Sequence, residues 1–85
     1  MQQIEPGIYR HSKSGKLYEV IGTARYSEDP HQEFVVYKQL YESALRENGV
    51  NLPKGTLWIR PAIMFTELIE LEGIQVPRFQ RIKNS

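Results

Sequence analysis

No cysteine occurs among the 85 residues, which excludes a disulfide framework and a thiolate zinc site, the usual staples of small secreted domains. A reducing cytoplasm is the expected compartment. Long apolar runs are missing too: no window approaches the roughly 18 apolar residues of a membrane-spanning helix. The opening Met1-Gln2-Gln3-Ile4-Glu5-Pro6 has no basic start followed by an apolar stretch, so a soluble, unprocessed chain without membrane contact is expected. Charge of one sign is not in excess, with eleven Lys and Arg against ten Asp and Glu and a net charge of +1. That balance disfavours nucleic-acid binding through a uniformly basic surface. Repeats and low-complexity tracts are absent. A phosphate loop is absent as well, since residues 12–16 hold one glycine and open no helix. The length suits one domain with one core, expected over residues 6–82 with a frayed tail at 83–85.

What is present reads mainly as short strands. Pro6-Gly7 introduces Ile8-Tyr9-Arg10-His11, with residues 12–16 as its turn. Residues 17–26 alternate Leu17, Glu19 and Ile21 on one side with Tyr18, Val20, Gly22 and Ala24 on the other. The Tyr18 side is expected to face the core because Glu19 lies opposite, and Gly22 suits a bulge. Residues 27–31 are polar and broken by Pro30, which predicts a loop. Residues 33–40 form the strongest strand signal, with Val35 and Tyr37 facing one way and Phe34, Val36 and Lys38 the other.

Residues 41–48 change period. Tyr41, Ala44 and Leu45 share a helical face, Glu42 stands four residues before Arg46, and Asn48-Gly49 makes a stop. This predicts a two-turn helix packed through Leu45. Residues 50–56 return the chain to Leu57-Trp58-Ile59-Arg60-Pro61, which carries the single tryptophan and ends at a residue with no N–H to give a ladder. One helical turn over residues 62–65 is expected to place Met64 and Phe65 as a plug, the rival being one helix over 61–71. The preferred reading continues with a strand over 67–71, a turn at Glu72-Gly73 and a last strand over 75–82 carrying Phe79. The fold class expected is mainly β, a small SH3-like, partly open barrel with one short inserted helix and a short helical turn.

Several groups of residues carry a family resemblance. They are Gly7-x-Tyr9-Arg10-His11 with Lys13 and Gly15 close behind, Tyr18-x-Val20, Ala24-Arg25-x-Ser27-Glu28 and Val35-Val36-Tyr37, followed by Leu57-Trp58-Ile59-Arg60-Pro61, Met64-Phe65 with Glu67, and Val76-Pro77-Arg78-Phe79. In these the chain resembles domain of unknown function family 1653, small bacterial domains assigned to an SH3-type barrel, and the resemblance covers most of the chain. It implies a fold and no assigned function. Ser14 inserted between Lys13 and Gly15, and a longer connection over residues 42–56, depart from the family pattern.

No reactive constellation stands out. Around His31, the residues Glu28, Asp29 and Glu33 have no metal-ligand spacing. Ser12 or Ser27 with His11 and Glu28 or Glu67 is selected by no nucleophile motif. No enzyme activity, cofactor or metal is therefore expected. The richer pattern is aromatic and basic: Tyr9, His11, Tyr37, Trp58, Arg60 and Arg78, with Phe79 alongside, as a surface for a protein segment or a small anionic ligand. Against this stands the reading of Tyr37, Trp58 and Phe79 as core, with the arginines paired to Glu67 or Glu28. A second patch, Arg10, Lys13, Lys16, Arg25 and Glu28, carries the alternative of nucleic-acid binding. A third reading is a homo-oligomeric or accessory protein whose exposed strand edge pairs with a copy of itself or with a partner, and a monomer or weak homo-oligomer is the expected state. The acids Glu67, Glu70 and Glu72 are expected to offset the bases Arg78, Arg81 and Lys83 of the following segment.

Overall fold

In the computed structural model, which describes residues 4–45 and 49–83, the β-branched and aromatic runs fold as antiparallel strands around a single helical turn. β1 (Gly7–His11), β2 (Leu17–Tyr26), β3 (Asp29–Gln39), β4 (Ser43–Leu45), β5 (Val50–Leu52) and β6 (Leu57–Pro61) lead to α1 (Ala62–Phe65). β7 (Leu68–Leu71), β8 (Ile74–Pro77) and β9 (Phe79–Lys83) follow. A five-stranded sheet runs β6-β3-β2-β1-β9, and β4–β5 and β7–β8 are separate hairpins. The sheet ends at β6 and β9 without joining them, so the barrel is not closed. Among the described residues no helix is long and apolar enough to cross a membrane.

The alternation read from the sequence decides which face is inside. Tyr9, Val20, Val35, Tyr37 and Phe79 point inward and are buried, with Tyr18 and Trp58 packed against them. Phe65 closes this layer from above, stacking on Phe79 with ring centroids 4.2 Å apart and meeting Tyr9 edge-on at 5.5 Å. Such aromatic pairs add a little beyond the area they bury. Met64 is exposed, which corrects half of the expected plug. Neighbouring residues in a helical turn stand about 100° apart, so only one of the pair faces the core.

Gly22 lies where the β2–β3 register shifts, between Val20 and Gly22, as its missing side chain suggested. Gly7 is needed for a different reason: at φ +148° it lets β9 approach so closely that a Cβ would stand 2.7 Å from the Lys83 carbonyl oxygen.

Three expectations are corrected. In place of a helix at residues 41–48, Ser43–Leu45 pairs with Val50–Leu52 as a hairpin, Leu45 opposite Val50. A two-turn helix is marginal alone, and the Gln39 side chain instead captures the carbonyls of Tyr41 and Leu52. Arg46 and Asn48, on which the helical pairing and stop relied, lie outside the described residues. The loop expected over 27–31 shrinks to a turn at Ser27-Glu28, since β3 already begins at Asp29. Pro30 is tolerated because it falls where the ladder with β2 is interrupted. The final strand divides at Arg78, so that β8 pairs with β7 and β9 with β1. There the Arg78 N–H donates to the Glu67 carbonyl and its own carbonyl accepts from Ser12. The rival helix over 61–71 is excluded by β7.

Candidate functional site

Phe79, at the start of β9, is the ring on which distant segments meet. Phe65 stacks on it, the His11 ring stands at right angles to it with centroids 5.0 Å apart, and the Arg60 guanidinium lies over it at 5.7 Å from the centroid. β6 aims Arg60 inward beside Trp58 because residues 58 and 60 share a face. Arg60 Nε donates to the Tyr37 hydroxyl at 3.3 Å, while its terminal nitrogens have no acceptor among the described residues.

His11 ends β1. Its Nδ1 accepts the backbone N–H groups of Lys13 and Ser14 at 3.2 and 3.3 Å, which places the ring proton on Nε2. Burial first, then the charges of Arg78, Arg60 and Lys13, lower the imidazole pKa from its ordinary value. The ring is therefore a neutral donor in a cationic setting. Arg78 donates from Nη2 to Glu67 Oε1 at 2.7 Å, and its buried Nε has no partner among the described residues.

Beside Arg60 a groove of ≈ 240 Å³ opens between Tyr18, Tyr41, Trp58 and Leu52. Its floor is Gln39, 1 % exposed, whose Oε1 accepts from Trp58 Nε1 at 2.9 Å. The Gln39 amide donates to the carbonyls of Tyr41 and Leu52 at 2.8 and 2.9 Å. The Tyr18 and Tyr41 hydroxyls bond each other, and burial together with that bond raises the Tyr18 pKa. Lys16 Nζ lies 4.9 Å above the Tyr41 ring.

Of the six residues first singled out, Trp58, Arg60 and the Tyr37 side chain line this groove, and His11 stands close enough to Arg60 and Arg78 to feel both charges. Tyr9 and Tyr37 are core. The Tyr9 hydroxyl donates to the Glu5 carbonyl, and burial raises its pKa. The second patch is not gathered. Lys13 and Lys16 stand in the turn before β2, Arg10 points to the opposite face from His11, and Arg25 is near the far end of β2, about 30 Å from Lys16. There it donates to the Pro30 carbonyl; Glu28 is exposed in the adjacent turn. Of the expected acid–base compensation the Glu67–Arg78 pair forms, whereas Arg81 turns to Glu5 at 3.8 Å. Among the described residues no three His, Asp or Glu side chains gather as a metal site would need. Gln39, Tyr18 and Tyr41 were not foreseen as site residues. The available signal for Gln39 was its place two residues beyond Val35 and Tyr37 on the same inward face.

Fold and site together define a small, open antiparallel β domain with a cationic, aromatic cleft on its inner face. The chain belongs to the DUF1653 family of proteins of unknown function, whose profile matches residues 7–81. The crystal structure of a protein of the same family from Bordetella bronchiseptica is similar to it, with a TM-score of 0.77 and 30 % sequence identity over 100 % of this chain and 95 % of that one. No curated protein matches the chain.

Proposed function

We propose that the domain is a non-catalytic binding module that takes an anionic group, carboxylate or phosphate, between His11, Arg60 and Arg78, and lays a flat part of the same ligand in the groove beside Trp58. The observation that carries this reading is a convergence of donors of which two, the Arg60 terminal nitrogens and His11 Nε2, have no acceptor among the described residues, while Arg78 already pairs with Glu67. His11 stands near Arg60 and holds its ring proton on Nε2. Arg78 is near enough to His11 to depress the imidazole pKa. Guanidinium groups bind oxyanions through paired, charge-assisted hydrogen bonds, and flat side chains accept planar groups at low entropic cost. An SH3-like character of the open sheet belongs to the same reading. It is supported by the two register shifts in β2 and by the groove that reaches Ser43 and Leu52 of the β4–β5 hairpin. A cytoplasmic setting fits the lack of cysteine.

The test is titration of Trp58 fluorescence and binding heat with benzoate and phenyl phosphate, against acetate and inorganic phosphate. Aryl anions are expected to bind more tightly than the bare ions, and Arg60→Ala to weaken them about 10- to 100-fold. Affinity untouched by Arg60→Ala refutes the reading. Nucleic-acid binding, the alternative, has less support because its cations lie at both ends of β2. It predicts instead that a short single-stranded oligonucleotide binds with steep salt dependence.

A further inference from the structure

The two ends of the sheet are built differently. β9 carries Arg81 and Lys83 along its edge, the kind of charge that discourages pairing with another chain. β6 has no such charge on its outer face, and its proline, Pro61, stands at its last position. It pairs with β3 alone, and no backbone hydrogen bond joins residues 57–61 to any other segment among the described residues. On the outer face its side chains are Leu57, 62 % exposed, and Ile59, 65 % exposed, and the chain goes on to Ile63 at 80 %. Ile21, half exposed at the β2 bulge, and Val36, opposite Ile59, extend this apolar surface inward. An exposed apolar edge of this kind is a template for a further strand.

We propose that the chain forms a two-fold dimer in which β6 pairs antiparallel with β6 of a second copy, centred on Ile59. The strand itself argues for a copy as occupant, because it carries both halves of the contact. In this register Ile59 meets its counterpart at the axis, and Leu57 faces Pro61 of the partner subunit. Beside Pro61 the surface opens into a hollow of ≈ 380 Å³ walled by Phe34, Pro61, Ala62 and Ile63 together with the polar His31, Gln32 and Glu33, and its apolar part receives the projecting Leu57. On the inner face the same register sets Trp58 opposite Arg60 of the partner subunit, with each guanidinium still held by Tyr37 and Phe79 of its own chain. A two-fold interface must be self-complementary, and the side chains of these five residues meet that condition, while Pro61 has no N–H to return to the Leu57 carbonyl, so the ladder is centred on Ile59. The contact joins two five-stranded sheets into one of ten strands and is short, so dissociation in the micromolar to millimolar range is expected.

Sedimentation equilibrium tests this directly: the mass should rise from one chain to two between about 1 μM and about 1 mM protein. Ile59→Lys sets two ammonium groups face to face on the axis and should weaken the dimer by at least about 100-fold. Ile82→Lys, on the guarded edge, should leave it unchanged. Both positions are solvent-exposed, and far-UV circular dichroism verifies that each variant folds. Because the chain has no cysteine, Ile59→Cys provides a second arm. It should cross-link to itself with a short bis-maleimide, while Leu68→Cys, exposed but away from β6, should not. A single-chain mass at every concentration, a dimer indifferent to Ile59→Lys, or equal cross-linking at both positions overturns the proposal. Pairing with the strand of another protein would show as the first of these.

Discussion

Replacing Gln39 by Leu should be the most damaging change that leaves the hydrophobic core intact. Gln39 is buried within β3 and ties three elements together, giving two amide hydrogens to Tyr41 and Leu52 and accepting one from Trp58. Leucine fills a similar volume and meets none of these. An unmade bond to a buried group costs about 1–3 kcal/mol. The three partners are half-buried, so the lower end applies to each and the sum is about 3 kcal/mol. An 85-residue domain has a total stability of about 4–13 kcal/mol, and the change should lower the melting temperature by about 12–24 °C. Urea unfolding followed by circular dichroism supplies the energy. Emission of the single tryptophan supplies the location, because the freed Trp58 should shift to the red in the folded state as the β4–β5 hairpin loosens. Gln39→Glu keeps the acceptor for Trp58 but turns a carboxylate on two carbonyl oxygens, so it should be destabilised at neutral pH and partly recover as acid protonates it. A Gln39→Leu variant within about 0.5 kcal/mol of the parent would refute the reasoning and show that water satisfies these groups.

Phe65→Ala should cost about 3–5 kcal/mol and Met64→Ala less than about 0.5 kcal/mol, a contrast that urea midpoints resolve, since one side chain is buried and its neighbour exposed. Gly7→Ala should destabilise markedly, because its Cβ would meet the Lys83 carbonyl and the Arg81 side chain, whereas Gly22→Ala meets nothing within 4 Å and should be nearly neutral by the same measurement. His11 has a folded pKa below its unfolded one, so the unfolded chain binds the proton first as pH falls. Its contribution is complete above about pH 6.5 and is lost as pH falls through the lower folded value. Urea midpoints at about pH 7.5 and about pH 5 should therefore differ less in His11→Gln than in the parent. Binding of an aryl phosphate should draw the His11 pKa upward, observable in the ring-proton shifts during an NMR titration, and a His11 pKa indifferent to ligand would separate the imidazole from the site.

Period-two alternation carried most of the fold. Val35 with Tyr37, Tyr18 with Val20, and Trp58 with Arg60 each share the face the pattern assigned, because a strand leaves no choice about where successive side chains point. Single residues with unusual backbone demands were equally legible: Gly22 at its bulge, Pro61 at the end of β6. The β4–β5 hairpin was not. Strands of three residues contain too few positions to show a period, and its anchor is a side chain of β3 rather than any feature of its own sequence. The candidate site divides along the same line. Aromatic and basic residues were visible as a set, but which of them are core depends on Phe65, whose ring covers Tyr9 and Tyr37 and leaves Trp58 at the margin. The cationic cluster arises because Phe79 offers one ring to two separate segments, with Arg60 over it and His11 at right angles to it, and its preceding residue, Arg78, acts on the imidazole. Local pattern therefore reads the scaffold, whereas the site is a property of one shared contact. Phe79→Leu, which keeps the apolar bulk and removes the π face, should accordingly disturb His11 and Arg60 more than it disturbs stability.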